Sequence, residues 1–269
     1  MTPLFELDWA GGWSERRLRK RRPGLDQLPW GTLAATPLDD AERREARTVW
    51  THGVFTEYAS AAGFGNLATA LLECGAPVDL TAVAADIVVD ELAHVELAAR
   101  LVDELGGAVP LAFDTAQISQ PTSPDATPLM RALELTVTVS CVGEALSVPA
   151  LTRSRALASA PLVRAVLDRL VADEGPHAEL GPRLLAWAAP RLSAGDREHL
   201  GTVALEAIAG FAPLWQRPPC DACQAPALGV APMDQHQQLL RAAVTTRIVP
   251  RLARHGITLT EAAVTAAMG

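Results

Sequence analysis

Residues 88–97 read VVDELAHVEL and residues 171–180 read VADEGPHAEL, so the pattern V-x-D-E-x-x-H-x-E-L occurs twice in one chain. A Glu and a His three positions apart stand on one face of a helix, about one turn from each other. Glu91 with His94, and Glu174 with His177, can therefore each converge on a common point. A single pair of this kind is common by chance. Two of them in matching surroundings predict two matching helices that turn the same chemistry toward one interior.

The flanking sequence extends both helices and supplies a partner for each. Asp39 or Asp40 is placed to cap a helix whose apolar spacing runs without proline to Cys74, with Gly75 as its stop. Asp79 is expected to cap the helix that carries the first motif and ends at Gly106-Gly107. Thr127-Pro128, a capping residue followed by proline at the first helical position, opens a third helix through MRALELTVTVSCVGEALSV. Ser159-Ala160-Pro161 opens a fourth, which carries the second motif to about Ala189. Between the second and third helices, GGAVPLAFDTAQISQPTSPDATP is unusually long for a connection inside a compact domain.

Aromatic residues make up only 4 %, and no stretch alternates with the two-residue period of a strand. The chain reads as all-α. Two short-linked hairpins joined by one long connection describe a four-helix bundle whose second and third helices run parallel. A single domain is expected over 1–269, with an arm at 1–38, the bundle at 39–190 and a helical extension at 191–269. The extension should hold a helix from about Ser193 to Trp215, a Pro/Cys/Gly-rich loop to Pro232, and a last helix interrupted at Pro250.

The two remaining helices each carry a glutamate inside a long apolar sequence: Glu57 in FTEYASA and Glu144 in CVGEALS. An unpaired carboxylate buried there would be costly, so both are assigned to the same interior, as carboxylates bridging a pair of metal ions. Glu96 and Glu179 are read differently. Each has an arginine four residues on, Arg100 and Arg183, and is expected to form a solvated pair on the helix surface.

Four glutamates and two histidines in the order E, E-x-x-H, E, E-x-x-H form the carboxylate-bridged dinuclear signature. Over roughly residues 39–190 the chain resembles the ferritin-like di-iron carboxylate proteins. The resemblance implies Glu57, Glu91, His94, Glu144, Glu174 and His177 as ligands of two iron ions, with manganese as the other natural occupant of so hard and anionic a site. Asp90 and Asp173, each directly before a ligand Glu, resemble the D-E-x-x-H form of the oxygenase and desaturase branches. There the Asp accepts a hydrogen bond from the outer nitrogen of a ligand His, which would put Asp90 on His177 and Asp173 on His94. Ala98 stands where ribonucleotide reductase small subunits carry their radical tyrosine, and Leu170 where the N-oxygenase branch carries an extra His. Neither specialisation is expected.

The resemblance implies an oxygenase or oxidase that uses dioxygen on a small organic substrate. No flavin, nicotinamide or iron–sulfur motif is apparent, so its electrons would come from a partner reductase. The alternatives are a ferroxidase or iron-handling protein and a peroxide-scavenging relative. Pro149 and Pro176 lie near the ligands, and helices 3 and 4 are expected to bend or bulge there. Ser147 is a candidate for proton delivery, and the small residues Ala59, Ala61, Ala62, Gly63 and Gly65 around Phe64 either pack closely or leave room beside the metals.

Composition sets outer bounds. With 49 % hydrophobic residues the chain can bury a sizeable core, and 31 acidic against 23 basic side chains give a net charge of −8 that argues against nucleic-acid binding through overall charge. The N-terminus lacks a basic segment followed by an apolar one, and the four cysteines are too sparse for a disulfide framework. A cytoplasmic protein without a membrane segment is expected. Cys220 and Cys223 read as a surface pair, free or in a facultative disulfide, with a redox or metal role as the alternative. The run Arg16, Arg17, Arg19, Lys20, Arg21, Arg22 either pairs with the chain's own acids or docks an acidic partner such as a carrier protein.

Overall fold

The computed structural model describes residues 8–111, 118, 121–216, 220 and 223–269. Among them are eight helices and no strand: α1 Gly12–Arg21, α2 Asp40–Glu73, α3 Val78–Glu104, α4 Pro128–Leu157, α5 Pro161–Ala188, α6 Ala194–Gly210, α7 at 233–253 and α8 Glu261–Met268. The caps explain most boundaries. The Asp39 side chain accepts from the Glu42 amide at 2.7 Å while the Glu42 carboxylate accepts from the Asp39 amide, a complete capping box. Gly75 ends α2 with φ at +66°, a conformation that favours glycine. Asp79 does not cap α3: Pro77 occupies that position, and Asp79 lies in the first turn, where its charge suits the helix N-terminus.

The helices α2 and α3 pack on each other, as do α4 and α5; α3 also meets α5 and α2 meets α4, which closes a ring of four. Two apolar layers fill it. One gathers Trp50, Val54, Leu97, Leu101, Val163 and Leu167; the other gathers Phe64, Leu67, Leu71, Ile87, Leu135, Leu180 and Leu184. On each of α2, α3 and α5 the residues between these layers are the glutamates and histidines of the motifs. A third cluster, with Ile208, Trp215, Ile248 and Ile257, packs α6, α7 and α8 on α4 and the end of α5. The helix Pro128–Leu157 is long and apolar enough to cross a membrane, but its most apolar stretch is largely buried against these neighbours.

The expected irregularity occurs in only one of the two predicted helices. Within α4, residues Thr136–Glu144 are wound as a π-helix, and the helix continues past Pro149 to Leu157. By contrast α5 is α-helical throughout, despite Pro176 and Pro182, so the bulge expected at Pro176 is absent. Neighbours accommodate α5. Pro182 has no N–H for the carbonyl of Ala178, and Arg251 of α7 donates to that carbonyl at 3.3 Å instead. The Ser140 hydroxyl, presented by the π segment, donates to the His177 carbonyl at 2.7 Å and accepts from the Gly181 amide at 2.9 Å.

Residues 12–21, read from sequence as part of an arm without regular period, form a helix with no buried residue of its own. The arm is nonetheless anchored, because Leu25 and Leu33 are buried in the first apolar layer and the Trp30 indole donates to the Leu25 carbonyl at 2.8 Å. Cys220 and Cys223 are joined in a disulfide, whereas Cys74 and Cys141 are free.

Candidate metal centre

The ring of four helices brings all six predicted donors together. Glu57, Glu91, His94 and Glu174 form one group, and Glu91, Glu144, Glu174 and His177 form a second, with the donor atoms of each group within 4.8 Å of one another. The groups overlap at Glu91 and Glu174. These two belong to both groups, while Glu57 and Glu144, given the bridging place from sequence, each belong to one group only. The cause is helix geometry: α3 and α5 place Glu91 and Glu174 at the centre of the ring, with the histidines one turn further on.

Both imidazoles turn Nδ1 inward. From His94 Nδ1 the carboxylate oxygens of Glu57 and Glu174 lie at 3.5 Å and that of Glu91 at 3.6 Å. From His177 Nδ1, Glu91 lies at 3.0 Å and Glu174 at 3.9 Å. The outward nitrogens meet the aspartates in a crossed arrangement, His94 Nε2 at 3.3 Å from Asp173 and His177 Nε2 at 3.5 Å from Asp90. The Glu144 carboxylate accepts from the Ser60 hydroxyl at 3.0 Å. The Phe64 ring stands 5.9 Å from that of His177 and forms an apolar wall. Five donor side chains are at most 5 % exposed, whereas the Glu57 side chain is 15 % exposed.

The electrostatics are those of buried acids crowded around two imidazoles. Burial pushes the Glu57 carboxyl up to about 7, with Glu91 adding to the rise and His94 opposing it. Glu174 is held well above the usual carboxylate range by burial and by neighbouring Glu144, and Glu144 is raised by burial and by Glu91. Burial also opposes ionisation of Glu91, but His177 and His94 overcome it and hold its carboxyl down at about 2. Burial disfavours both imidazolium ions, yet Asp90 and Glu91 raise His177 to about 9, and Asp173 and Glu57 hold His94 well above its ordinary value. Crowded buried carboxyls thus resist ionising together, while the same acids favour the protonated imidazoles.

The residues fit a pair of divalent ions on independent grounds. Both oxygens of Glu91, one of Glu174 and the Nδ1 atoms of both histidines are buried without a hydrogen bond, and all face the same interior. Orphaned atoms of this kind are rare in a folded protein and call for a ligand. Four carboxylates and two imidazoles together make a hard, anionic donor set that could hold divalent metal.

Other sequence expectations require revision. Glu96 is not a solvated surface acid: it is 2 % exposed, covered by the arm, and its carboxylate is held by Arg19 at 2.5 Å and Arg100 at 3.3 Å. Glu179 is exposed and pairs with Arg251 at 3.5 Å. Arg19, Arg21 and Arg22 of the basic run pair with the chain's own acids, while Arg16, Arg17 and Lys20 are exposed. A cavity of about 650 Å³ lies between the arm and α2/α3, lined in part by Trp9, Arg19, Glu96 and Arg100, and none of the six donors lines it. Sequence reasoning did not identify Ser60, Ser140, Arg22 or Arg169. Arg169 was legible as the residue four before Asp173, to which it donates at 2.6 Å. Comparison with protein-family models and with curated proteins finds no match.

Proposed function

We propose that the chain is a ferritin-like di-metal carboxylate protein that binds two iron ions, with manganese as the other fitting metal, and oxidises a small organic substrate with dioxygen. The observation that carries this reading is the pair of overlapping donor groups, with Glu91 and Glu174 common to both and each outer histidine nitrogen held by an aspartate. A pair of ferrous ions bound here would supply the electrons for dioxygen reduction. The protein's own contribution is positioning. Asp90 and Asp173 fix the histidine tautomers that leave Nδ1 free for metal. Ser60 orients Glu144, Phe64 and the two apolar layers exclude bulk water, and Glu57 is the most exposed of the six donors. A partner reductase is proposed to restore the reduced state.

Oxidase or oxygenase chemistry is preferred to iron storage because α6–α8 and the arm cover two sides of the ring, material that a bare cage subunit does not need. The test is anaerobic ferrous titration followed by oxygen, with particle size measured throughout. Binding that stops near two irons per chain in a small, discrete species, which consumes oxygen again only after re-reduction, is expected. Uptake of hundreds of irons into a large hollow assembly would overturn the reading in favour of a ferroxidase.

A further inference from the structure

The two halves of the centre are framed by equivalent relays built from different parts of the chain. In one, Arg169 of α5 donates to Asp173 at 2.6 Å, and Asp173 lies on the outer nitrogen of His94 at 3.3 Å. In the other, Asp90 lies on the outer nitrogen of His177 at 3.5 Å, but the residue four before Asp90 is Asp86, an acid where the repeat has its arginine. Here the cation comes from the arm. Arg22, 7 % exposed, pairs its Nε with Asp90 and reaches Asp86 through Nη2, at 3.3 Å from the carboxylate and 2.8 Å from the backbone carbonyl. The next arm residue touches the other relay, since Arg169 Nη1 donates to the Pro23 carbonyl at 3.4 Å.

We infer that Arg22 is a positioning residue for the proposed metal centre, acting through Asp90 on His177, so that the N-terminal arm is a working part of one half of the site. The inference rests on the di-metal reading above. Without Arg22, Asp86 would keep its pair with Arg21, but Asp90 would lose the arginine that holds its carboxylate beside His177. Partners that orient a ligand histidine typically contribute 10- to 100-fold in metal affinity. Coupling is reciprocal, so metal binding must tighten the docking of the arm by the same factor.

The experiment is calorimetric titration of metal-stripped protein with Mn²⁺, for the wild type, Arg22→Ala, Arg22→Lys and Arg21→Ala, together with hydrogen exchange over residues 12–27 with and without Mn²⁺. In the wild type two ions bind, and exchange in the arm slows on binding. Arg22→Ala should weaken one of the two ions 10- to 100-fold and abolish the slowing. Arg22→Lys keeps the charge on Asp90 and should recover part of the loss, while Arg21→Ala, whose arginine pairs with Asp86 alone, should leave both ions unchanged. Two ions of unchanged affinity in Arg22→Ala would overturn the inference and leave the metal reading intact. Equal weakening of both ions with no recovery in Arg22→Lys would mark the arm as a general clamp and also overturn it. A wild type that takes up no Mn²⁺ would overturn the metal reading and this inference with it.

Discussion

Two glycines on α5 separate what the helix needs from what its contact with α4 needs. At Gly181 an added Cβ would stand 2.6 Å from the Cys141 sulfur and 2.9 Å from the Ser140 hydroxyl, the group that bridges the His177 carbonyl and the Gly181 amide. At Gly175 nothing lies within 4 Å. Alanine at an open helical position is worth about 1 kcal/mol over glycine, whereas overpacking a buried contact costs about 1–3 kcal/mol. Gly175→Ala should therefore raise the melting temperature and Gly181→Ala should lower it, measured by thermal denaturation of the metal-free protein. Glu96 is only partly legible from local spacing. Its spacing to Arg100 identified a real ion pair, but no local pattern reveals that the distant Arg19 covers it.

Among the elements, the long connection and the α4 helix are tied by one buried carboxylate. Glu134 accepts from the Ser123 amide at 2.7 Å and from the His199 imidazole at 2.6 Å. Burial works against its ionisation, but His199 and the Ser123 amide outweigh burial and lower its pKa. A depressed carboxyl contributes stability that is present above its unfolded value, about 4.3, and is lost as pH falls through the lower folded value. The stability difference between wild type and Glu134→Gln, measured by denaturant unfolding, should accordingly be largest near neutrality and shrink below pH of about 4. A second element-scale contact is Arg251, which supplies the donor that Pro182 withholds from the Ala178 carbonyl. Arg251→Ala leaves that carbonyl without this donor and should cost about 1–3 kcal/mol in the same unfolding experiment. Proline marks in the sequence where hydrogen bonds are missing, but not how they are made good. In α5 the carbonyl that Pro182 leaves without a donor is served by Arg251 of α7, and the π segment of α4 contains no proline.

Across the whole molecule, the helices from Asp39 to Ala188 and their six inward donors were legible because caps, apolar spacing and the doubled motif are all local signals. What was not legible depends on contacts far apart in sequence. The arm's docking follows from Leu25 and Leu33 entering the core, and the sharing of Glu91 and Glu174 follows from how α3 and α5 meet. That sharing makes the four glutamates unequal. The direct measurement is elemental analysis after anaerobic reconstitution with ferrous iron, for the wild type and for Glu91→Ala, Glu174→Ala, Glu57→Ala and Glu144→Ala. Two irons per chain are predicted in the wild type, loss of both in either Glu91→Ala or Glu174→Ala, and retention of one in Glu57→Ala or Glu144→Ala. Two irons retained in both Glu91→Ala and Glu174→Ala, or a wild type that holds none, would contradict it.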